Sequence, residues 1–156
     1  MRPLSLAPFL AVFTLCATAM AQVAAVPPIA PAEAVQLAAA AAPDHGIKGT
    51  FLIAVKATGV DKRRNEILLN SELDYRDQRN LTVDIAQTAI AELEAKFGKN
   101  LRTYFVGKQI LVTGTARRVT IYFGKPQFSA VGKLRSKYYF QTHVAVVSAD
   151  QIALVQ

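Results

Sequence analysis

The residues of this sequence whose types and spacing could bind a ligand are two groups of cations and the aromatic rings near them. The first group is Lys62 to Arg64, and the second extends from Lys125 to Lys137. The second group leads into three consecutive aromatic residues, Tyr138 to Phe140, which precede a single histidine, His143. Cations that follow phosphates and aromatic rings that stack on bases are what binding of a single-stranded nucleic acid requires. We therefore predict a ligand-binding surface made of the following residues: Lys62, Arg63, Arg64, Lys125, Lys133, Arg135, Lys137 and Tyr139.

The positive charge is concentrated in the second half of the chain. Residues 96–156 contain ten Lys or Arg and one acid, a balance of +9, whereas residues 44–95 contain seven bases and nine acids, a balance of −2. A basic half attracts phosphates, anionic lipid headgroups or acidic cell-wall polymers over a long range. A positive net charge also keeps a protein soluble, so the charge alone does not name the ligand.

The acidic segment Glu72 to Asp77, ELDYRD, offers three carboxylates to a hard cation. It lacks the glycine and the distal glutamate of a calcium-binding loop, so we predict no metal site. Within this segment we expect Tyr75 to pack over the core and Arg76 to pair with a neighbouring acid.

His143 is the one candidate for acid–base chemistry. A general base needs a partner within hydrogen-bonding reach, and the other histidine, His45, stands at the entrance of the domain. We therefore predict a structural histidine, no catalytic residue and no cofactor. A hydrolase would require His143 to share a cleft with a carboxylate of Glu72, Asp74 or Asp77.

The N-terminus is typical of a secretory signal peptide over residues 1–21. Arg2 supplies the positive charge, an apolar stretch follows, and small residues precede a cleavage site between Ala21 and Gln22. We therefore expect an exported protein, periplasmic or secreted, without a transmembrane segment. Its mature chain has no cysteine, because the only one is Cys16.

Residues 22–43 are rich in alanine and proline, and we predict a disordered linker without a partner face. One domain is expected to follow over residues 44–156. Apolar residues alternate from Thr50 to Ala57, a turn is predicted over residues 59–65, and EILLN at 66–70 and residues 81–85 continue the alternation.

The period then changes to that of a helix, which Asp84 and Gln87 are expected to cap and Gly98 to end. Strands resume at residues 109–123, where Gly114 indicates a bulge, and a loop over residues 124–137 precedes a last strand. Three strands, a helix and two strands (β-β-β-α-β-β) predict an all-β fold with one helix, a five-stranded Greek-key barrel of the OB-fold type. Other folds share this order of elements.

Three phrases of the sequence carry a resemblance to a family. LLNSELDYRDQRNLTV (68–83), GKQILVTGTARRV (107–119) and KYYFQTHVAVVSADQI (137–152) resemble small exported single-domain bacterial proteins of OB-fold type, a group without an assigned function. The resemblance implies the fold and export, and it carries over no catalytic residue.

OB-folds bind oligonucleotides and oligosaccharides on the second and third strands, between the loops that join strands one to two and four to five. The two cation groups fall in those loops. We therefore expect an exported, non-enzymatic binding module for single-stranded nucleic acid or another anionic polymer, such as an envelope lipid or a cell-wall component. The alternative is a module that binds a protein of the envelope or periplasm, or serves stress adaptation, without binding nucleic acid.

Overall fold

The computed structural model describes residues 26–41, 45–128 and 134–155, so the predicted signal peptide and Lys133 lie outside the described residues. The chain is mostly β-sheet, with few helices. A 3-10 turn, Ala149–Gln151, precedes the C-terminal strand of the described residues. The elements are α1 (Pro31–Ala40), β1 (Ile47–Ala54), β2 (Ala57–Asp61), β3 (Glu66–Asn70), β4 (Leu81–Ile85), α2 (Gln87–Phe97), α3 (Leu101–Phe105), β5 (Gln109–Phe128), β6 (Leu134–Val146) and β7 (Ile152–Leu154).

The seven strands form one open sheet, so the predicted β-rich fold is confirmed, whereas the prediction of a five-stranded barrel is wrong. Their order is β1-β5-β6-β4-β3-β2, with β7 paired to β5. Every pairing is antiparallel except that of β4 with β6, which is parallel. The count exceeds five because the first strand is interrupted at Val55 and Lys56, where the chain changes its partner from β5 to β3, and because the C-terminal residues add β7.

The core lies on the face of the sheet to which alternate residues of the central strands point. Leu81, Val83 and Ile85 of β4 are fully buried beside Val144 and Val146 of β6. Helices α2 and α3 pack against the core through Leu93, Leu101 and Phe105, the last of which forms an edge-to-face pair with Phe97. The predicted alternation of these strands is therefore confirmed, since strands that bury one face must alternate in this way.

Helix α1 corrects the expectation of a disordered linker at its position. Pro31 begins the helix, where a missing N–H costs nothing, and Ala34 and Ala38 are buried against the sheet. Just before the helix, the N–H of Ile29 donates to the carbonyl of Thr50, 2.8 Å away. The partner face that the sequence did not reveal is made of alanines, whose small side chains allow a close approach to the sheet.

Three local predictions also change. Gly59 lies within β2, so the turn is confined to the residues that follow Asp61. The N-cap of α2 is Ala86, without a side-chain bond, because Asp84 belongs to β4. Gly114 forms no bulge: it pairs regularly with Gly49 of β1.

The loop predicted over residues 124–137 is largely strand. β5 extends to Phe128 and β6 begins at Leu134, and the two remain paired, with one register shift between Phe123 and Gln127. Within the described parts of the chain, no helix is long and apolar enough to cross a membrane.

Candidate functional site: an aromatic cleft

The candidate site lies where β5 and β6 extend beyond the rest of the sheet. β1 accompanies β5 only as far as Ala116, and β4 accompanies β6 only from Thr142 onward. Beyond these two positions, β5 and β6 continue as a two-stranded ribbon, residues 117–128 and 134–141. We call this segment the ribbon.

One face of the ribbon presents aromatic rings in continuation of the core. Tyr138 and Phe140 share the parity of the buried Thr142, yet they are 55% and 45% exposed. Tyr122, opposite Tyr138, is 70% exposed, and the centroids of these two rings are 6.1 Å apart. The guanidinium of Arg118 lies 3.6 Å from the centroid of Phe140, a close cation–π contact.

The opposite face of the ribbon packs against the loop over residues 71–80. Tyr139 is half-buried beside Phe123, with 5.7 Å between the ring centroids, and burial raises the pKa of the Tyr139 phenol. The side-chain amide of Gln141 donates to the carbonyl of Tyr75, at 2.9 Å. The loop is therefore fixed to the ribbon by a direct hydrogen bond.

A buried amide also holds the loop from within. Asn80 accepts a hydrogen bond from the N–H of Glu72 at 3.0 Å and donates to Thr82 Oγ1 at 2.9 Å and to Asn70 Oδ1 at 3.2 Å. The N–H of Leu81 donates to the hydroxyl of Ser71, which closes the base of the loop. The loop is thus ordered by polar contacts at its two ends rather than by apolar packing.

Between helix α1, the loop and the ribbon lies a cleft of about 1080 Å³. Helix α1 contributes Val35 and Ala39 to one wall, and the loop supplies the other. The volume lies just above the usual range of ligand pockets, about 300–1,000 Å³, so the cleft is large enough for an extended ligand. The rings and cations that line the cleft are Tyr75, Arg76, Arg118, Tyr122, Phe123, Tyr138, Tyr139 and Phe140.

The loop wall carries two arginines, Arg76 and Arg79, that make different kinds of contact. Arg76 lies 4.8 Å over the ring of Tyr75, so the prediction that Arg76 pairs with an acid is replaced by a cation–π contact. Arg79 instead pairs with Asp77 at 2.8 Å, and this pairing lowers the pKa of Asp77 to about 2. Tyr75 is exposed in the cleft, 42% of it accessible, and does not pack over the core.

His143 lies away from the cleft and contacts Asp84, which forms a pair of neighbouring acids with Glu66. Its Nε2 lies 2.9 Å from Gln141 Oε1, and its Nδ1 lies 3.6 Å from Asp84 Oδ2. Burial raises the pKa of Asp84, but the hydrogen bond and charge of His143 outweigh burial and lower it. Burial and the charge of Asp84 raise the pKa of Glu66, so Glu66 is the member of the acid pair that keeps a proton more readily.

This arrangement bears on the hydrolase alternative. Among the described residues, the polar contacts of His143 are to Gln141 and Asp84, whereas Glu72 pairs with Lys56 at 2.7 Å. His143 therefore has no contact with the carboxylates that a hydrolase would have required. No group of three or more metal-ligating side chains occurs in the described ranges.

The predicted binding residues do not form one surface. Lys62, Arg63 and Arg64 are exposed in the turn between β2 and β3, which the strand register places beyond the level of Val146. Lys137 lies nine residues before Val146 on β6, about 30 Å along the strand at ~3.3 Å per residue.

The remaining predicted residues lie in or near the ribbon. Lys125 belongs to β5, Arg135 and Lys137 to β6, and Tyr139 lines the cleft. Sequence reasoning missed Arg118, Tyr122, Arg76 and helix α1 as parts of the site. The even spacing of Arg118 and Tyr122, which puts both on one face of β5, was the available signal. Only the pairing of β5 with β6 shows that this face also carries Phe140 and Tyr138.

Comparisons of this chain with protein-family models, with curated proteins and with solved structures found no match.

Proposed function

We propose that this chain is an exported, non-enzymatic binding module, a variant of the OB-fold, that holds an extended ligand in the aromatic cleft. The fold part of the proposal rests on the two residues that separate β1 from β2. The N–H of Val55 donates to the backbone carbonyl of Lys108 on one side, and the N–H of Lys56 donates to the backbone carbonyl of Asn70 on the other, both at 2.9 Å. If β1 and β2 count as one bent strand, the remaining pairings follow the OB-fold order, with α2 between the third and fourth strands.

The observation that carries the functional part is the set of exposed rings with an arginine stacked on one of them. Exposed aromatic rings that are scattered over a surface need no explanation, whereas a contiguous group of them is typical of a binding site. Here the exposed rings line one cleft. Rings of this kind contribute about 1–3 kcal/mol per stacked base in proteins that bind single strands. Arg118 and Lys137 add the positive charge that a phosphate backbone requires.

Single-stranded nucleic acid is therefore the first ligand to test. We expect a labelled oligonucleotide of about ten nucleotides to bind at low salt, with an affinity that falls steeply as salt rises. Phe140→Ala should weaken binding about 5- to 150-fold, as the loss of one stacking platform predicts. Because Phe140 is half-exposed, the variant should keep its melting temperature within a few degrees, which circular dichroism would verify.

Lys62→Ala is the matched control, since it removes a cation from the turn far from the cleft. It should change the affinity less than twofold if the cleft is the binding site. Equal losses in Phe140→Ala and Lys62→Ala would place the binding elsewhere, and the absence of binding at low salt would exclude nucleic acid as the ligand.

A protein segment is the second candidate, in line with a role in the envelope or in stress adaptation. It is favoured by one observation: the strand that crosses the cleft, β6, has no neighbour on one side from residue 134 to residue 141 within the described chain.

A further inference from the structure

The open edge of β6 presents hydrogen-bonding groups in a known direction. The carbonyl of Val146 accepts from the N–H of Ala86, which follows β4, so the peptide groups of Val146 point toward β4. Peptide groups along a strand alternate between its two neighbours, and β6 pairs with β5 without a register shift from Lys137 to Val144. The even-numbered residues of β6, from Tyr138 to Val146, therefore direct their N–H and C=O groups to the β4 side.

Tyr138 and Phe140 have this parity, and β4 does not reach them. The parallel pairing of β4 with β6 begins at Leu81 and Thr142. In the part of the chain that the structure describes, the outward N–H and C=O groups of Tyr138 and Phe140 have no backbone partner. Two donors and two acceptors are thus available at the centre of the cleft.

The two sides of this edge are formed by different residues. On one side stand the rings of Tyr138 and Phe140 with Val35 of α1, and on the other stand Tyr139 and the loop that carries Tyr75. A strand laid along the edge would direct alternate side chains to these two sides. Both sides nevertheless present aromatic rings, so apolar side chains suit both.

The charges near the edge favour a negative partner. Arg118 lies over Phe140 and Arg76 over Tyr75, one on each side of the edge. Asp77, the acid that lines the cleft, is already paired with Arg79. A carboxylate on the incoming segment would therefore meet, on either side, a guanidinium that has no ion pair with any described residue.

We propose that the edge of β6 at Tyr138 and Phe140 binds an extended segment of a partner protein by adding it as a strand to the sheet. The segment carries apolar side chains at alternate positions and at least one carboxylate. This inference rests on the proposed function of the cleft, and it names the ligand class. A nucleic acid would use the rings and the arginines but would leave the row of backbone groups without ladder partners, which is why the open edge favours a peptide.

The probe is a blocked, fluorescein-labelled heptapeptide in which valine alternates with glutamate, titrated with the purified chain. Two further peptides carry N-methyl groups at the odd or at the even positions, so that their side chains are unchanged. Only one of these two sets of N–H groups faces β6. We therefore expect one methylated peptide to lose at least tenfold in affinity and the other to keep most of it.

Two variants of the same residue test the protein side. Tyr138→Ala removes the ring and keeps the N–H, whereas Tyr138→Pro also removes the outward N–H without touching the ladder to β5. We expect Tyr138→Pro to bind the peptide about 2- to 12-fold more weakly than Tyr138→Ala, the range for one net hydrogen bond. The melting temperatures of the two variants, measured alongside, should agree within a few degrees.

The outcomes separate this inference from the proposed function. Peptide binding that is equally insensitive to both methylation patterns would overturn strand addition. Failure of the peptide together with oligonucleotide binding that depends on Phe140 would overturn the inference and leave the proposed function standing. Failure of both ligands, with the chain folded, would overturn both.

Discussion

Replacement of Asn80 by alanine should destabilise the loop that forms one wall of the cleft. Asn80 is only 2% exposed, and its amide bridges β3, β4 and the loop. Alanine would leave the N–H of Glu72 without an acceptor and would remove the amide's bonds to Asn70 and Thr82. Asn70 keeps the hydrogen bond from the hydroxyl of Thr82 at 3.0 Å, so it is not orphaned.

The magnitude follows from these contacts. One orphaned, partly buried donor costs about 1–3 kcal/mol, and the loss of the amide's other bonds adds about 1 kcal/mol. The free energy of unfolding should therefore fall by about 2–4 kcal/mol. For a domain of this size, that corresponds to a decrease in melting temperature of roughly 8–16 °C.

Chemical denaturation followed by circular dichroism would measure the change, with Gln78→Ala as the matched control. Gln78 is an amide of the same loop but is exposed, so its truncation should cost less than about 0.5 kcal/mol. A loss of less than about 1 kcal/mol in Asn80→Ala, or equal losses in both variants, would refute the assignment of the loop's order to this buried amide.

Two further substitutions test the packing and the charges of the sheet. Gly114→Ala should lower the free energy of unfolding by about 1–3 kcal/mol, because the added Cβ would lie 2.9 Å from Val144 Cγ1. Gly59→Ala is the control and should cost much less, because its Cβ contacts begin at 3.8 Å. The midpoints of chemical denaturation would compare the two variants. Glu66→Gln should raise the melting temperature at pH 7, because burial and the charge of Asp84 raise the pKa of Glu66 and its ionised form opposes folding. That stabilisation should shrink as the pH falls toward the ordinary pKa of glutamate, and a lower melting temperature of the variant at pH 7 would contradict it.

The strands of the core could be predicted because their signal is local. A strand with one buried face must alternate, and the alternation from Thr142 to Val146 reproduces the observed burial. In β4 the apolar residues Leu81, Val83 and Ile85 are buried as the alternation predicts, although Thr82 on the other face is buried as well. Helix α2 was predictable for the same reason, from its apolar spacing and from Gly98 at its end. The number of strands was not, since the interruption at Val55 depends on which neighbour each half of the strand finds.

Helix α1 shows why composition alone misleads. Its alanines and prolines are as common in linkers as in a helix that packs closely on a sheet, and only the presence of the sheet beneath Ala34 and Ala38 decides between the two. The ribbon was missed for a similar reason. Gly124 and Pro126 indicate a loop, but pairing with β6 resumes after a register shift.

The cleft itself arises from the place where neighbouring strands end rather than from a special sequence. From Tyr138 to Val146, every second residue of β6 points to the same face, and nothing in the residue types marks a boundary along it. The boundary falls at Thr142, because β4 begins beside it and covers the residues that follow. Before Thr142, the same face and the same backbone edge have no strand beside them within the described chain. A single run of alternating residues therefore supplies core at one end and a binding surface at the other, and a variant that extended β4 backward along β6 should close the cleft without changing any residue of the ribbon.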